Sequence, residues 1–113
     1  YVANYSGNSV SVINGSTNTV TATVSVGSHP EAVAVNPLSN TAYVANASDN
    51  SVSVINGSTN TVTATVSVGS IPLAVAVNPS TNTVYVANFG DNSVSVINAK
   101  TYTVTATVLV GSG

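Results

Sequence analysis

Apolar and polar residues alternate along this chain with a period of two, in short runs separated by Asn, Gly, Ser and Pro, and no segment shows helical spacing. In the clearest run, Val62, Ala64, Val66 and Val68 fall on one side and Thr61, Thr63, Thr65 and Ser67 on the other. This is the pattern of a strand with one apolar and one hydroxyl-bearing face. Four such runs follow one another in residues 73–110. The first, 73–77, closes at Asn78-Pro79; the second, 83–87, closes at Asn88 and the turn Gly90-Asp91-Asn92. The third, 93–97, ends at Asn98 and a polar loop, and the fourth, 103–110, ends at Gly111-Ser112. Valine and threonine suit a pleated sheet, and Asn, Gly and Pro suit its turns, so each run is predicted to be a strand.

The unit recurs. Residues 1–42 and 43–84 align without a gap and differ at seven positions, and residues 85–113 begin a third copy, so the period is 42 residues. The first strand of the unit, Ala32-Val33-Ala34-Val35 or Ala74-Val75-Ala76-Val77, has no polar residue on either side and is expected to be buried on both faces. The fourth has one polar face. A gradient from a doubly buried strand to a half-exposed one is that of a β-propeller blade, whose inner strand is wedged between neighbours. The expected fold is therefore all-β, with propeller blades of four antiparallel strands: a partial blade lacking its inner strand (1–28), then blades at 29–70 and 71–113. These eleven strands make about 2.75 blades, and since rings close with roughly 4–8, the chain is expected to be an incomplete ring. The remaining blades would come from the same longer chain or from identical chains. A trimer is disfavoured, because each junction would lack one inner strand.

Tyr43-Val-Ala-Asn46, Val52-Ser-Val-Ile-Asn56, Asn60-Thr-Val-Thr-Ala-Thr-Val66 and Ala74-Val-Ala-Val-Asn-Pro79 together resemble the YVTN-type blade repeat of archaeal and bacterial surface-layer proteins. The resemblance covers the entire chain. It departs from the family at Ala3, Ala45 and Ala87, where the name motif has Thr, and in an Asn-Pro-x-x-Asn turn where many members carry Pro-Asp-Gly. It implies a propeller that is extracellular or at the cell surface, with a part in surface-layer architecture, adhesion or protein contact, and a protein or glycan as partner. Related propellers include lactone-processing and quinoprotein enzymes, which gather acidic, His or cofactor-binding residues around the central channel. The inner strands here offer Ala and Val.

Composition narrows the function further. The only formally charged side chains are Glu31, Asp49, Asp91 and Lys100, where an ordinary soluble domain has roughly 25 % charged residues, so Asn, Ser and Thr must cover the surface. One basic side chain cannot neutralise a phosphate backbone, which removes nucleic acid from the expected partners. No apolar run approaches the length of a membrane-spanning helix. Cysteine is absent, and with it disulfides and thiol chemistry. Opening at Tyr1 without an initiator Met or a leader, the sequence is expected to be a processed, trimmed or partial product.

Little else points to chemistry. His29 is the only histidine and its counterpart in the second copy is Ile71, so a loop residue is expected rather than a metal ligand or general base. Asp49 and Asp91 occupy equivalent turns, and Gly7 fills that position in the first copy. A hairpin turn is expected there rather than a Ca²⁺ site, which calls for several carboxylates. No Ser-His-Asp set or paired carboxylates recur, so no catalytic, cofactor or metal residue is assigned. Four Asn-x-Ser sequons, at Asn4, Asn14, Asn46 and Asn56, are candidate N-glycosylation sites, both lost in the third copy at Asn88 and Asn98. The leading expectation is a non-enzymatic surface module. The alternative is a piece of a lactonase-like or quinoprotein-like enzyme whose catalytic residues lie in other blades; an ice-binding β-solenoid, suggested by the Thr-x-Thr pairs, is third.

Overall fold

The computed structural model describes residues 1–113 and contains eleven strands. They are β1 (Val2–Asn4), β2 (Ser9–Asn14), β3 (Thr19–Ser25), β4 (Pro30–Asn36), β5 (Thr41–Asn46), β6 (Ser51–Asn56), β7 (Thr61–Ser67), β8 (Pro72–Asn78), β9 (Thr83–Asn88), β10 (Ser93–Asn98) and β11 (Thr103–Leu109). Each strand pairs antiparallel with its sequence neighbour, giving three meander sheets, β1–β3, β4–β7 and β8–β11. The sheets stack face to face, so the chain is an open array of β-propeller blades, the first of three strands and the other two of four.

Asparagine sets the ends of these strands. Asn8, Asn18, Asn40, Asn50, Asn60, Asn82 and Asn92 all take a left-handed backbone in the hairpin turns, a conformation that asparagine tolerates better than other residues with a Cβ. A second set closes strands by accepting a bond from the backbone two residues on: Ser16 N–H donates to Asn14 Oδ1 at 2.9 Å, Ser58 N–H to Asn56 Oδ1 at 2.8 Å, and Lys100 N–H to Asn98 Oδ1 at 2.9 Å. The Asn-rich composition is thus turn chemistry placed at fixed points of the repeat.

The structure departs from the sequence expectations in three respects. The outer strands do not alternate without interruption: the pairing of β2 with β3, β6 with β7 and β10 with β11 slips by one residue at Thr21, Thr63 and Thr105. Each of these threonines turns its hydroxyl onto a carbonyl of the middle strand, Val12, Val54 or Val96, at 3.3 to 3.5 Å. Such bulges bend an edge strand away from the plane that a second edge would need. A single 3₁₀ turn spans Phe89–Asp91. The inner strands β4 and β8 are only partly buried: Val35 is 41 % and Leu73 39 % exposed. The reason is positional. Strand β4 has no inner strand of blade 1 against it, and β8 has no blade beyond it, so the wholly apolar sequence is half-covered.

The best-buried strands are β5 and β6 of the middle blade, sandwiched on both sides. Val10 and Val24 of blade 1 pack with Ala42, Val44 and Ile55 of blade 2. On the other face, Tyr43, Val52, Val54 and Val66 of blade 2 pack with Val84, Val86, Ile97 and Ala99 of blade 3. The hydrophobic core is therefore two interfaces between blades, one on each face of the middle sheet.

Candidate functional site

The most elaborately built feature of the chain is the joint by which each outer strand crosses to the next inner strand. The crossover after β3 runs through Gly27, Ser28 and His29. Val26 N–H donates to Asn8 O at 3.0 Å and His29 N–H to Asn8 Oδ1 at 2.9 Å, both on the blade being left. On the blade being entered, Ser28 N–H donates to Asp49 Oδ2 at 2.7 Å, while Ala47 N–H and Ser48 N–H donate to His29 O and Ser28 O. The second joint repeats this with Val68, Ser70 and Ile71, held by Asn50 and Asp91 at the same distances. A backbone segment that would otherwise lie unpaired thereby has its polar groups satisfied from both sides.

Beneath each crossover lies a polar triad. Asn46 Nδ2 donates to Ser51 Oγ at 3.2 Å and Ser53 Oγ at 2.9 Å, and Asn88 Nδ2 does the same with Ser93 and Ser95 at 3.1 and 2.9 Å. Asn46 and Asn88 are buried, and their Oδ1 atoms have no hydrogen-bond partner. Gly27 and Gly69 press directly on these groups: a Cβ on Gly27 would stand 2.6 Å from Asp49 Oδ2 and 2.7 Å from Asn46 Cγ, and Gly69 meets Asp91 and Asn88 in the same way. Glycine is required there for close approach of backbone to side chain rather than for its torsion angles.

The joint forces His29 and Ile71 into left-handed backbone, with φ of 51° and 52°. For a β-branched residue this is a strained conformation, held in place by the Asn and Asp bonds on either side. Replacing Ile71 with Asn is therefore expected to stabilise the chain by about 1 kcal/mol, the side chain being 41 % exposed and giving up little packing. Urea unfolding of the variant beside the parent checks this; a loss of stability would show that the strain is offset by contacts of the isoleucine side chain.

The structure gives each candidate residue a place. His29 stacks on Tyr5, with ring centroids 4.3 Å apart, and its Nδ1 is bonded to Ser48 Oγ. Asp49 and Asp91 are latches on crossover N–H groups, a role the sequence reading missed. The signal available in the sequence was that Asp49 and Asp91 recur at one position of the repeat, where the first copy has Gly7. No group of three His, Cys, Asp or Glu side chains gathers anywhere in the chain. The four sequons divide. Asn14 is exposed and Asn56 half-buried, in the β2–β3 and β6–β7 loops, whereas Asn46 is buried in its triad, and Asn4 donates from Nδ2 to Ser9 and Ser11 at 3.1 and 2.8 Å. The Thr-x-Thr pairs lie on β3, β7 and β11, the outer strands of three separate sheets, each with a bulge.

The last blade leaves an apolar face open. Tyr85 and Val108 are 42 % and 49 % exposed, whereas Tyr43 and Val66, their repeat equivalents one blade earlier, are 1 % and 5 % exposed. A shallow groove of about 190 Å³ on this face is lined only by Ala74, Val75, Ala76, Tyr85, Ala87 and Val94. Burial raises the pKa of the Tyr43 hydroxyl above its ordinary value, with a further contribution from the charge of Tyr102 on the next blade.

Three stacked meander sheets joined by such crossovers define a segment of a β-propeller. No known family model matches the chain, and no curated protein matches it in sequence. Among solved structures it is similar to a chain of Kuenenia stuttgartiensis hydrazine synthase, with a TM-score of 0.92 and 33 % identity over 97 % of this chain and 32 % of that one. It is also similar in fold to apo AztD from Citrobacter koseri (TM-score 0.78, 17 % identity, 93 % of this chain and 30 % of that one). A functionally unknown protein from Desulfotomaculum acetoxidans DSM 771 matches as well (TM-score 0.70, 24 % identity, 89 % and 34 %). The chain spans about a third of the length of each. No helix is long and apolar enough to cross a membrane.

Proposed function

We propose that this chain is a segment of a larger, non-enzymatic propeller of the YVTN type that serves at the cell surface as a structural or protein-contacting module. The observation that carries the reading is the open face of blade 3. Tyr85, Val94 and Val108 repeat, residue for residue, the Tyr43, Val52 and Val66 that blade 2 buries against its neighbour, so this face is chemically made for another blade. Of the polar side chains that recur from copy to copy, Asn8, Asn50, Asp49 and Asp91 bond the crossovers between blades, and Asn46 and Asn88 bond serines of their own sheet beneath those crossovers. The YVTN-like motifs, the sequons and a surface of hydroxyls and amides almost without charge support an exported location.

The test is the denatured intact mass of the native polypeptide together with protease shaving of intact source cells. The expected result is a mass larger by whole repeats and loss of the protein on shaving. A mass of the 113-residue chain alone, or a protein shielded from protease until lysis, overturns the reading. The similarity to hydrazine synthase at 33 % identity favours a second reading, in which the segment belongs to an enzyme whose reacting groups lie in blades or domains beyond it. A longer native chain with His, Asp or Glu clustered on its other inner strands, and inside the cell envelope rather than on it, supports that alternative.

A further inference from the structure

We infer that the folded chain accepts N-linked glycan at Asn14 and Asn56 only, and that the fold closes the other two Asn-x-Ser sequons, at Asn4 and Asn46. This deepens the surface-module reading and rests on it for its biological setting. In the transfer, the Asn Nδ2 forms a bond to C1 of an oligosaccharide carried on a lipid diphosphate. The C1–O bond to the diphosphate breaks, the lipid diphosphate leaves with the electron pair, and Nδ2 gives up one proton to a base of the transferring enzyme. The acceptor must therefore present Nδ2 with its hydrogens unpaired and in reach of solvent.

Asn14 and Asn56 meet that demand. Their Oδ1 atoms take the backbone bonds from Ser16 and Ser58, which orients each amide in its hairpin loop and leaves Nδ2 without a protein acceptor. Asn4 and Asn46 do the reverse: Nδ2 is the bonded atom, spending its two hydrogens on Ser9 and Ser11 or on Ser51 and Ser53. Asn46 is also 0 % exposed. A glycan at Asn46 would have to dismantle the joint between blades 1 and 2. The two open sites occupy the same loop of successive blades, so sugar would line one rim of the array. Blade 3 keeps the loop and its turn, with Lys100 N–H donating to Asn98 Oδ1. It lacks only the hydroxyl residue of the sequon, because Lys100 stands there.

The experiment supplies both enzyme and donor to purified folded chain, using an oligosaccharyltransferase chosen because it modifies short synthetic peptides of all four sequons, and maps occupancy by peptide mass spectrometry. The expected result is glycan on Asn14 and Asn56, with Asn4 and Asn46 lower by roughly tenfold or more, since they react only through opened forms. The variant Lys100→Ser is expected to gain a third site, at Asn98. Comparable occupancy at Asn46 and Asn56 in folded chain, or unmodified Asn14 and Asn56 beside reactive peptides, would overturn the inference. Because the reaction is run in vitro, its outcome is independent of where the native protein resides, which cell shaving decides separately.

Discussion

Replacing Tyr43 with alanine is expected to lower the free energy of unfolding by about 3–5 kcal/mol, the usual loss on deleting a fully buried aromatic ring. The same replacement at Tyr85 is expected to cost about 1 kcal/mol or less. The two residues occupy the same position of nearly identical repeats. Tyr43 lies between blades against Val84, Val86 and Ile97, whereas Tyr85 lies on the open face of blade 3. Urea unfolding of both variants measures the difference; equal losses would mean that the blade 3 face is covered in solution. The hydroxyl gives a second readout. Because burial raises its folded pKa above the unfolded value of about 10, the unfolded chain releases that proton first. The associated stability is then complete below about pH 10 and is lost as pH rises through the raised value. Tyr43→Phe removes this alkaline dependence.

Asn46→Asp is expected to cost about 3 kcal/mol or more at neutral pH, although it changes no heavy-atom volume to speak of. Ser51 and Ser53 could turn their hydroxyls to donate to one carboxylate oxygen. The other would occupy the place of Asn46 Oδ1, which is buried and has no donor near it. Asp49 adds like charge: its Oδ2 and Asn46 Nδ2 stand 2.6 and 2.8 Å from the point where a Gly27 Cβ would be. Desolvation and that neighbour both raise the folded pKa of the new carboxyl. The penalty is therefore absent below the unfolded value of about 3.9, and it grows as pH rises toward the folded value. Unfolding midpoints of variant and parent between acid and neutral pH test this, with Asn14→Asp as the exposed comparison, expected to change stability by no more than about 0.5 kcal/mol. A pH-independent difference would place Asn46 in contact with water.

The strands and their antiparallel order were legible because period-two alternation and Asn-Gly-Pro punctuation are local signals, and because three copies repeated them. The bulges at Thr21, Thr63 and Thr105 were not, since a threonine that leaves the ladder to bond a carbonyl has the same neighbours in sequence as one that stays. Nor did the sequence distinguish the sequon at Asn46 from that at Asn56. Both read Asn-x-Ser, and only the strand and crossover packed over the first take its Nδ2 out of reach.

What the sequence determined by itself is therefore a blade: which residues are strand, where each strand turns, and which face carries Val and which Thr. What tertiary structure decided is which of those faces is inside. Strands β5 and β9 differ mainly in Ala42 and Val84, yet β5 is buried along nearly its whole length, while in β9 Tyr85 and Ala87 are open to solvent. Alternation assigns two faces to a strand, but burial is a property of the stack, fixed by whether another sheet lies across the face. The same holds for the strained Ile71 and the latch at Asp91: both acquire their meaning from a joint between blades, which no single repeat contains.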